Sequence, residues 1–394
     1  MSQAHKPLDY AVDVSTAIEP FLERWAALAG ADASPFHALP WVRAWYATLG
    51  SQLHYEPLLV GVRRADTGAD VMLLALTRWQ RGGLSFVGFA DATVVDYTSP
   101  LVAADWAGGI DPDNTAVLSE RARRLWSALR QALRGHDVLR IDKMLVTPLD
   151  ESLPRINPLA LALRPKLQDC EMFGNQFHVA EDWDAWRHSL PKRVRKEFER
   201  SWRVFTRSEH ARFERVTEPD AAMALFAQLE RQQAARMDQL DYTYVLDAPA
   251  FRAFYRQALA GGLADGSVVL TALRDGDEVV SAQFGVANAH RYVALRLSSG
   301  GDAWKTCSPG RLLCEQTAGH LHAQGLHWFD FGIGDYRHKQ MFEVSHIPLL
   351  DGCEALSWRG LPAVWAWRVR RTLKRQRWLI ALWRRLQQKP AQEA

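Results

Sequence analysis

The feature that most constrains this chain is an order of elements that occurs twice. Two helical patterns, Ile18 to Leu28 and Trp41 to Leu49, precede two strand patterns, Pro57 to Val62 and Val71 to Thr77, with a turn at Asp66-Thr67-Gly68 between them. A third strand, Leu84 to Phe89, leads into a polar loop, Asp96-Tyr97-Thr98-Ser99-Pro100-Leu101, then a helix from Val117 to Leu133 and a short strand, Val138 to Ile141. The same order returns roughly 190–210 residues later. Helices over Trp183 to Phe205, Ala221 to Met237 and Phe251 to Leu259 precede a hairpin, Val268 to Leu273 and Val279 to Val286, turned at Asp275-Gly276. A strand from Tyr292 to Leu297 follows. Ser308 and Pro309 then open a helix as N-cap and first residue, Gly325 stops it, and His327 to Phe331 forms the next strand. Leu349 to Trp358 reads as a closing strand pair. At 394 residues the chain is long for one core, so these elements predict an α+β protein of two related units, residues 1–168 and 169–360, with a tail at 361–394.

Charge sets the tail apart. Residues 361–389 hold nine Lys or Arg and no acid, and the chain before residue 361 has a net charge of −5. An acidic body excludes a protein that binds DNA over its whole surface. No apolar run approaches the roughly 18 residues that span a bilayer, and the N-terminus lacks a secretion pattern, so a cytoplasmic protein is expected. Cys170, Cys307, Cys314 and Cys353 are scattered without metal-ligand spacing, which predicts reduced thiols and no metal.

Two segments carry candidate chemistry. Ser298-Ser299-Gly300-Gly301 and Ser308-Pro309-Gly310-Arg311 lead into a helix N-terminus, where amides, the positive end of the helix dipole and Arg311 suit a phosphate. Ordinary helix capping is the rival reading. Asp330, between Phe329 and Phe331, is expected to be half-buried with a partner such as Arg296 on the neighbouring strand. After the Gly332-Ile333-Gly334 turn come Asp335, Tyr336, His338 and Lys339. Asp335 and Lys339 are spaced as a solvated helical salt bridge, or as acid–base groups brought to a cleft.

These stretches resemble the GNAT N-acyltransferase superfamily. The resemblance covers most of residues 8–358 and is narrowest to the CelD/BcsL acetyltransferases of cellulose and exopolysaccharide biosynthesis, relatives of the FemAB-like tandem GNAT proteins. It rests on Ser308-Pro309-Gly310-Arg311-Leu312-Leu313, on Phe329-Asp330-Phe331-Gly332-Ile333-Gly334-Asp335 with Lys339, and on Pro40-Trp41-Val42-Arg43 and the Asp96 to Leu101 block in the first half. His338 stands where the family has tyrosine, and Cys307 to Arg311 replaces the usual glycine-rich pyrophosphate loop.

The resemblance implies two tandem GNAT-like domains, each a mixed central sheet flanked by helices, and transfer of an acetyl or other acyl group from acyl-CoA to an amine or hydroxyl. The acceptor it implies is a small molecule or sugar-linked precursor. Leu297, Ser299, Ser308, Gly310, Arg311 and Leu312 are then expected at the donor, and Asp335, Tyr336, His338 and Lys339 at the reacting atoms. Asp96, Tyr97, Arg195, Arg296 and Asp330 are expected at the acceptor. The first unit lacks a matching Ser-Pro-Gly turn and is expected to hold no donor.

Two basic segments keep alternatives open. The helix with Arg193-Val194-Arg195-Lys196 is a solvated face or a phosphate contact, and it is the one support for a Fem-like transferase using aminoacyl-tRNA. A non-catalytic GNAT pair serving a polysaccharide-synthesis complex is the other rival. The tail mixes Trp365, Trp367, Trp378 and Trp383 with its nine basic residues, which fits either a helix lying on the inner face of an anionic membrane or one packed on the body.

Overall fold

The computed structural model describes residues 10–29, 34–107, 110, 114–146, 157–242, 244–334 and 339–375. In chain order the elements begin β1 (Tyr10–Ser15), α1 (Ile18–Leu28), α2 (Leu39–Trp45), β2 (Glu56–Arg64), β3 (Asp70–Arg81), β4 (Leu84–Phe89), β5 (Leu101–Val102), α3 (Thr115–Ala132) and β6 (Val138–Leu145). A connection follows through α4 (Pro158–Leu163), β7 (Leu167–Asp169) and β8 (Gly174–His178). The second half runs α5 (Trp183–Ser189), α6 (Lys192–Phe205), β9 (Ala211–Arg215), α7 (Pro219–Gln239), α8 (Pro249–Gly262), β10 (Val268–Asp275), β11 (Glu278–Ala287), β12 (Arg291–Ser299), α9 (Pro309–His322), β13 (Trp328–Ile333) and β14 (Ser345–Ile347). The chain then adds β15 (Leu349–Ala355) and α10 (Leu361–Arg375).

These strands make two mixed sheets flanked by helices, in the orders β1-β2-β3-β4-β6-β15-β7 and β14-β8-β13-β12-β11-β10-β9. The strand expected to close the second unit, β15, instead pairs with β6 and β7 in the first sheet. β8, from the connection, joins the second sheet against β13. The first sheet therefore takes a strand from the second half's chain, seated between β6 and β7. The single helix expected from Trp183 to Phe205 is two, because Pro191 drives Leu190 to ψ 150° and out of helical geometry.

Apolar packing fixes how the halves meet. Trp41 of α2 sits edge-on to Phe254 of α8 with ring centroids 4.7 Å apart, inside one buried cluster that draws on both halves. Each large side chain so buried contributes about 2–3 kcal/mol.

Each sheet also contains one parallel pair that parts. β4 and β6 pair over three positions, Phe86 with Val138 to Gly88 with Arg140. β12 and β13 pair over three, Arg291 with Trp328 to Val293 with Asp330. No helix among the described residues is long and apolar enough to cross a membrane.

Candidate active site

The second parting is built by a bulge. β11 and β12 shift register between Phe284 and Gly285, whose partners are Arg296 and Ala294, so Leu295 is the extra residue. It lies two positions beyond Val293, and a bulge there bends β12 away from β13. On the β13 side the turn needs glycine: Gly332 has φ +67°, and a Cβ on it would strike Asp96 Oδ2 and sit 3.6 Å from the Ala294 carbonyl.

At the wide end of the parting lies a cavity of about 710 Å³, lined by Leu297 and Ser299 of β12, by Ser308, Gly310 and Arg311 at the start of α9, and by Arg236 of α7. Lys305 also borders it. Ser308 is not the side-chain cap expected; it adopts φ 50°, ψ 58°, and its Oγ accepts from Arg311 Nη2 at 2.6 Å. Its carbonyl takes the Arg311 and Leu312 amides at 3.1 Å each. Pro309 has no amide to give, so Gly310 is the first-turn amide not bonded in this way. A Cβ on Gly310 would come within 3.1 Å of Ser299 Oγ and 3.2 Å of Leu297, so a glycine keeps this cradle open. Three cations against one carboxylate, Glu278, together with a helix N-terminus suit an anionic donor such as the diphosphate of coenzyme A. Leu312 belongs to the core beneath, where it is fully buried.

The cavity wall depends on two glutamines that belong to no sequence motif. Gln232 donates to the Val279 carbonyl at 2.6 Å and accepts from Ser298 Oγ at 2.7 Å. Gln233 donates to the Leu297 carbonyl at 3.0 Å while its Oε1 accepts from Arg296 Nε at 2.8 Å and Tyr244 Oη at 3.0 Å. Arg296 is therefore not the partner of Asp330. It is buried among Phe226, Tyr244 and Tyr255 and clamps α7 to β12.

Asp330 takes a partner from the other half. Its Oδ1 accepts from Tyr97 Oη at 2.8 Å and from the Gly332 amide at 2.7 Å, and Arg291 Nη1 is 3.5 Å from Oδ2. Asp330 is fully buried rather than half-buried, and burial pushes its carboxyl up to about 6 against the opposing pull of Arg291. Tyr97 is buried as well, so this pair joins the halves. Asp96, beside it, keeps partial exposure at the vertex of the parting and accepts from the Ile333 amide at 3.3 Å. Desolvation holds its carboxyl above the usual range, opposed by Lys143, the Ile333 amide and Lys339.

Lys339 is buried rather than on a solvated helical face. Its Nζ donates to the carbonyls of Gly332 (3.3 Å), Ile333 (2.8 Å) and Gly334 (3.3 Å), and Asn175 Nδ2 reaches the first and last of these at 2.9 and 2.8 Å. Asp335, Tyr336 and His338 lie outside the described residues. Arg195 of α6 is half-buried and does not line the cavity; its neighbour Glu197 pairs with Arg311. Cys307 is buried with its thiol pushed up by desolvation, which is the setting of an inert thiol. Among the described residues no group of three or more potential ligands gathers for a metal.

Residues 192–340 match the acetyltransferase (GNAT) domain family. Residues 192–340 are thus a GNAT acetyltransferase domain, and the protein that carries it is an acyltransferase. No curated protein matches the chain. The solved structure of FemX is similar to it with a TM-score of 0.57 at 10% identity, over 86% of this chain and 96% of that one, a likeness of fold that extends through both halves. Also similar, each with a TM-score of 0.49, are the C-terminal domain of a putative lysylphosphatidylglycerol synthetase from Agrobacterium fabrum and L-PGS from Bacillus licheniformis. The first is 12% identical over 90% of this chain and 96% of its own, the second 13% identical over 91% and 97%.

Proposed function

We propose that the protein transfers an acyl group from acyl-CoA, held in the parting between β12 and β13, to an amine or hydroxyl that enters beside Asp96. The observation that carries this reading is the open parting itself, which ends in a cationic cavity at the N-terminus of α9. Asp96 takes the acceptor's proton as the nucleophile bonds to the thioester carbon. Amides on the unpaired edge of β12 stabilise the oxyanion, and the carbon–sulfur bond then breaks. The proton for the departing thiolate is assigned to Tyr336 or His338. Lys339 and Asn175 fix the turn carbonyls so that the Asp96 vertex keeps its shape. A saccharide precursor as acceptor rests on the CelD/BcsL resemblance.

The test has two arms. Titration calorimetry with acetyl-CoA should show one site, and thiol release with a panel of amino sugars and oligosaccharides should identify an acceptor. Absence of acyl-CoA binding overturns the reading.

One observation favours a second donor. Arg200 and Arg203 of α6 and Arg207 just beyond its end line a further cavity of about 400 Å³ with Thr306, next in the chain to Lys305 of the donor cavity. A run of guanidiniums beside the donor fits an RNA-linked acyl group. Salt-sensitive binding of tRNA without binding of acyl-CoA would select it.

A further inference from the structure

α10 has two faces of opposite character. Its inner face is packed on the first sheet. Val364 is buried with Val138 and Cys353, and Arg371 Nη1 meets Asp351 Oδ2 at 2.5 Å. Trp367 lies under the guanidiniums of Arg140 and Arg371 at 5.1 and 5.3 Å. This much of the tail is therefore a packing element.

Its outer face is apolar and uncovered among the described residues. Leu361, Trp365 and Leu373 are 58%, 69% and 48% exposed, and the short turn before the helix adds Trp358 at 80%. With about 3.6 residues per turn, positions 361, 365 and 373 share one side of the helix. Two tryptophans and two leucines this exposed form the kind of patch that a monomeric soluble protein rarely leaves in water. The exposed Arg368 and Arg370 border it, and the sequence holds no acid from 361 to 389.

We propose that the outer face of α10 lies on an anionic lipid surface, its tryptophans and leucines among the acyl chains and its arginines at the phosphates. Charge selects this occupant. A second copy brought face to face would set one acid-free basic segment against another, and a nucleic acid offers the apolar stripe no partner. The lipid surface satisfies both halves of the patch, with the aromatic side chains at the headgroup level. The inference does not depend on the acyl-transfer reading, and its test needs no activity.

The experiment sediments the full chain with vesicles of phosphatidylglycerol and phosphatidylcholine, and with phosphatidylcholine alone, at low and high salt. It is paired with hydroxyl-radical footprinting of Trp358 and Trp365 with and without vesicles. The expected result is binding to the anionic vesicles that weakens with salt, and protection of both tryptophans only when lipid is present. The variant Trp358→Ser with Trp365→Ser should bind about tenfold or more weakly, and Arg368→Gln with Arg370→Gln should lose on the order of tenfold at low salt. All four side chains are exposed, so the melting temperature should not move. Failure to bind anionic vesicles, or unchanged binding by both variants, overturns the proposal. So does protection of the two tryptophans without lipid, which would mean that the rest of the chain or a second copy covers the face.

Discussion

The two halves part their parallel strands at corresponding places, yet one parting is filled and the other is open. In the first sheet the chain leaving β4 turns back into the gap. The Thr98 amide donates to the Lys143 carbonyl at 3.0 Å, the Leu145 amide donates to the Thr98 carbonyl at 3.0 Å, and Thr98 Oγ1 donates to the Asp142 carbonyl at 2.6 Å. β5 then extends the ladder along β3. The edge groups of β6 that face the gap are thus taken by the protein's own chain, which occupies the space beside β4. In the second sheet the chain leaving β12 exits through Gly300 and Gly301 and returns as α9 across a cavity. A parting of strands makes a ligand site only if the following segment stays out of it. The filled half has a different use, since the loop that fills it carries Asp96 and Tyr97 to the vertex of the open one.

The comparison breaks first at Asp96. If the filled half supplies the base, Asp96→Asn should lower turnover by about 10²–10⁴-fold while acetyl-CoA affinity stays unchanged. In the wild type kcat/KM should rise with pH through an apparent pKa above the ordinary carboxylate range, since desolvation raises Asp96 and the base must be ionised. A variant with full activity on the identified acceptor would leave Asp96 a tether alone.

Next in size is the donor site. Gly310→Asp places an anion among the cavity's cations and a Cβ against Leu297 and Ser299, so acetyl-CoA affinity should fall by about 10–100-fold in calorimetry. Wild-type stoichiometry should be one. Two sites would mean that Thr98 yields to a ligand and that the first parting is not closed.

The link between the halves comes third. Tyr97→Phe removes a hydrogen bond to a buried carboxylate and should cost about 1–3 kcal/mol in urea unfolding. The pH dependence has a defined sign. Asp330 has a folded-state pKa near 6, above its unfolded value of about 3.9, so the native state binds the extra proton and this group's contribution falls as pH rises from about 4 to 6. Asp330→Asn should flatten the stability profile over that window, and an unchanged slope would show that the carboxyl is not desolvated.

The smallest effect concerns the plug. Thr98→Ala deletes one side-chain hydrogen bond but leaves both backbone bonds, so it should cost about 1 kcal/mol and create no second donor site. A loss of several kcal/mol would show that the hydroxyl, rather than the backbone, holds the first parting shut.

The features legible in the sequence are local. The turn at Gly276 between β10 and β11, the start of α9 at Pro309, the stop at Gly325 and the order of elements from α7 to β13 follow from short-range sterics and side-chain periodicity, which act between residues close in the chain. The break at Pro191 is of this kind too, and its signal was present in the sequence. Tertiary structure alone decided the rest. β15 reads as a strand but nothing in it names β6 as its neighbour, and Asp330 reads as a buried carboxylate needing a partner without naming Tyr97, 233 residues away. Gln232 and Gln233 carry no pattern at all until β12 is laid beside α7. Burial and hydrogen-bonding demand are properties of one residue, whereas the partner that meets them is set by how distant segments pack, and many sequences of the same pattern satisfy the same demand.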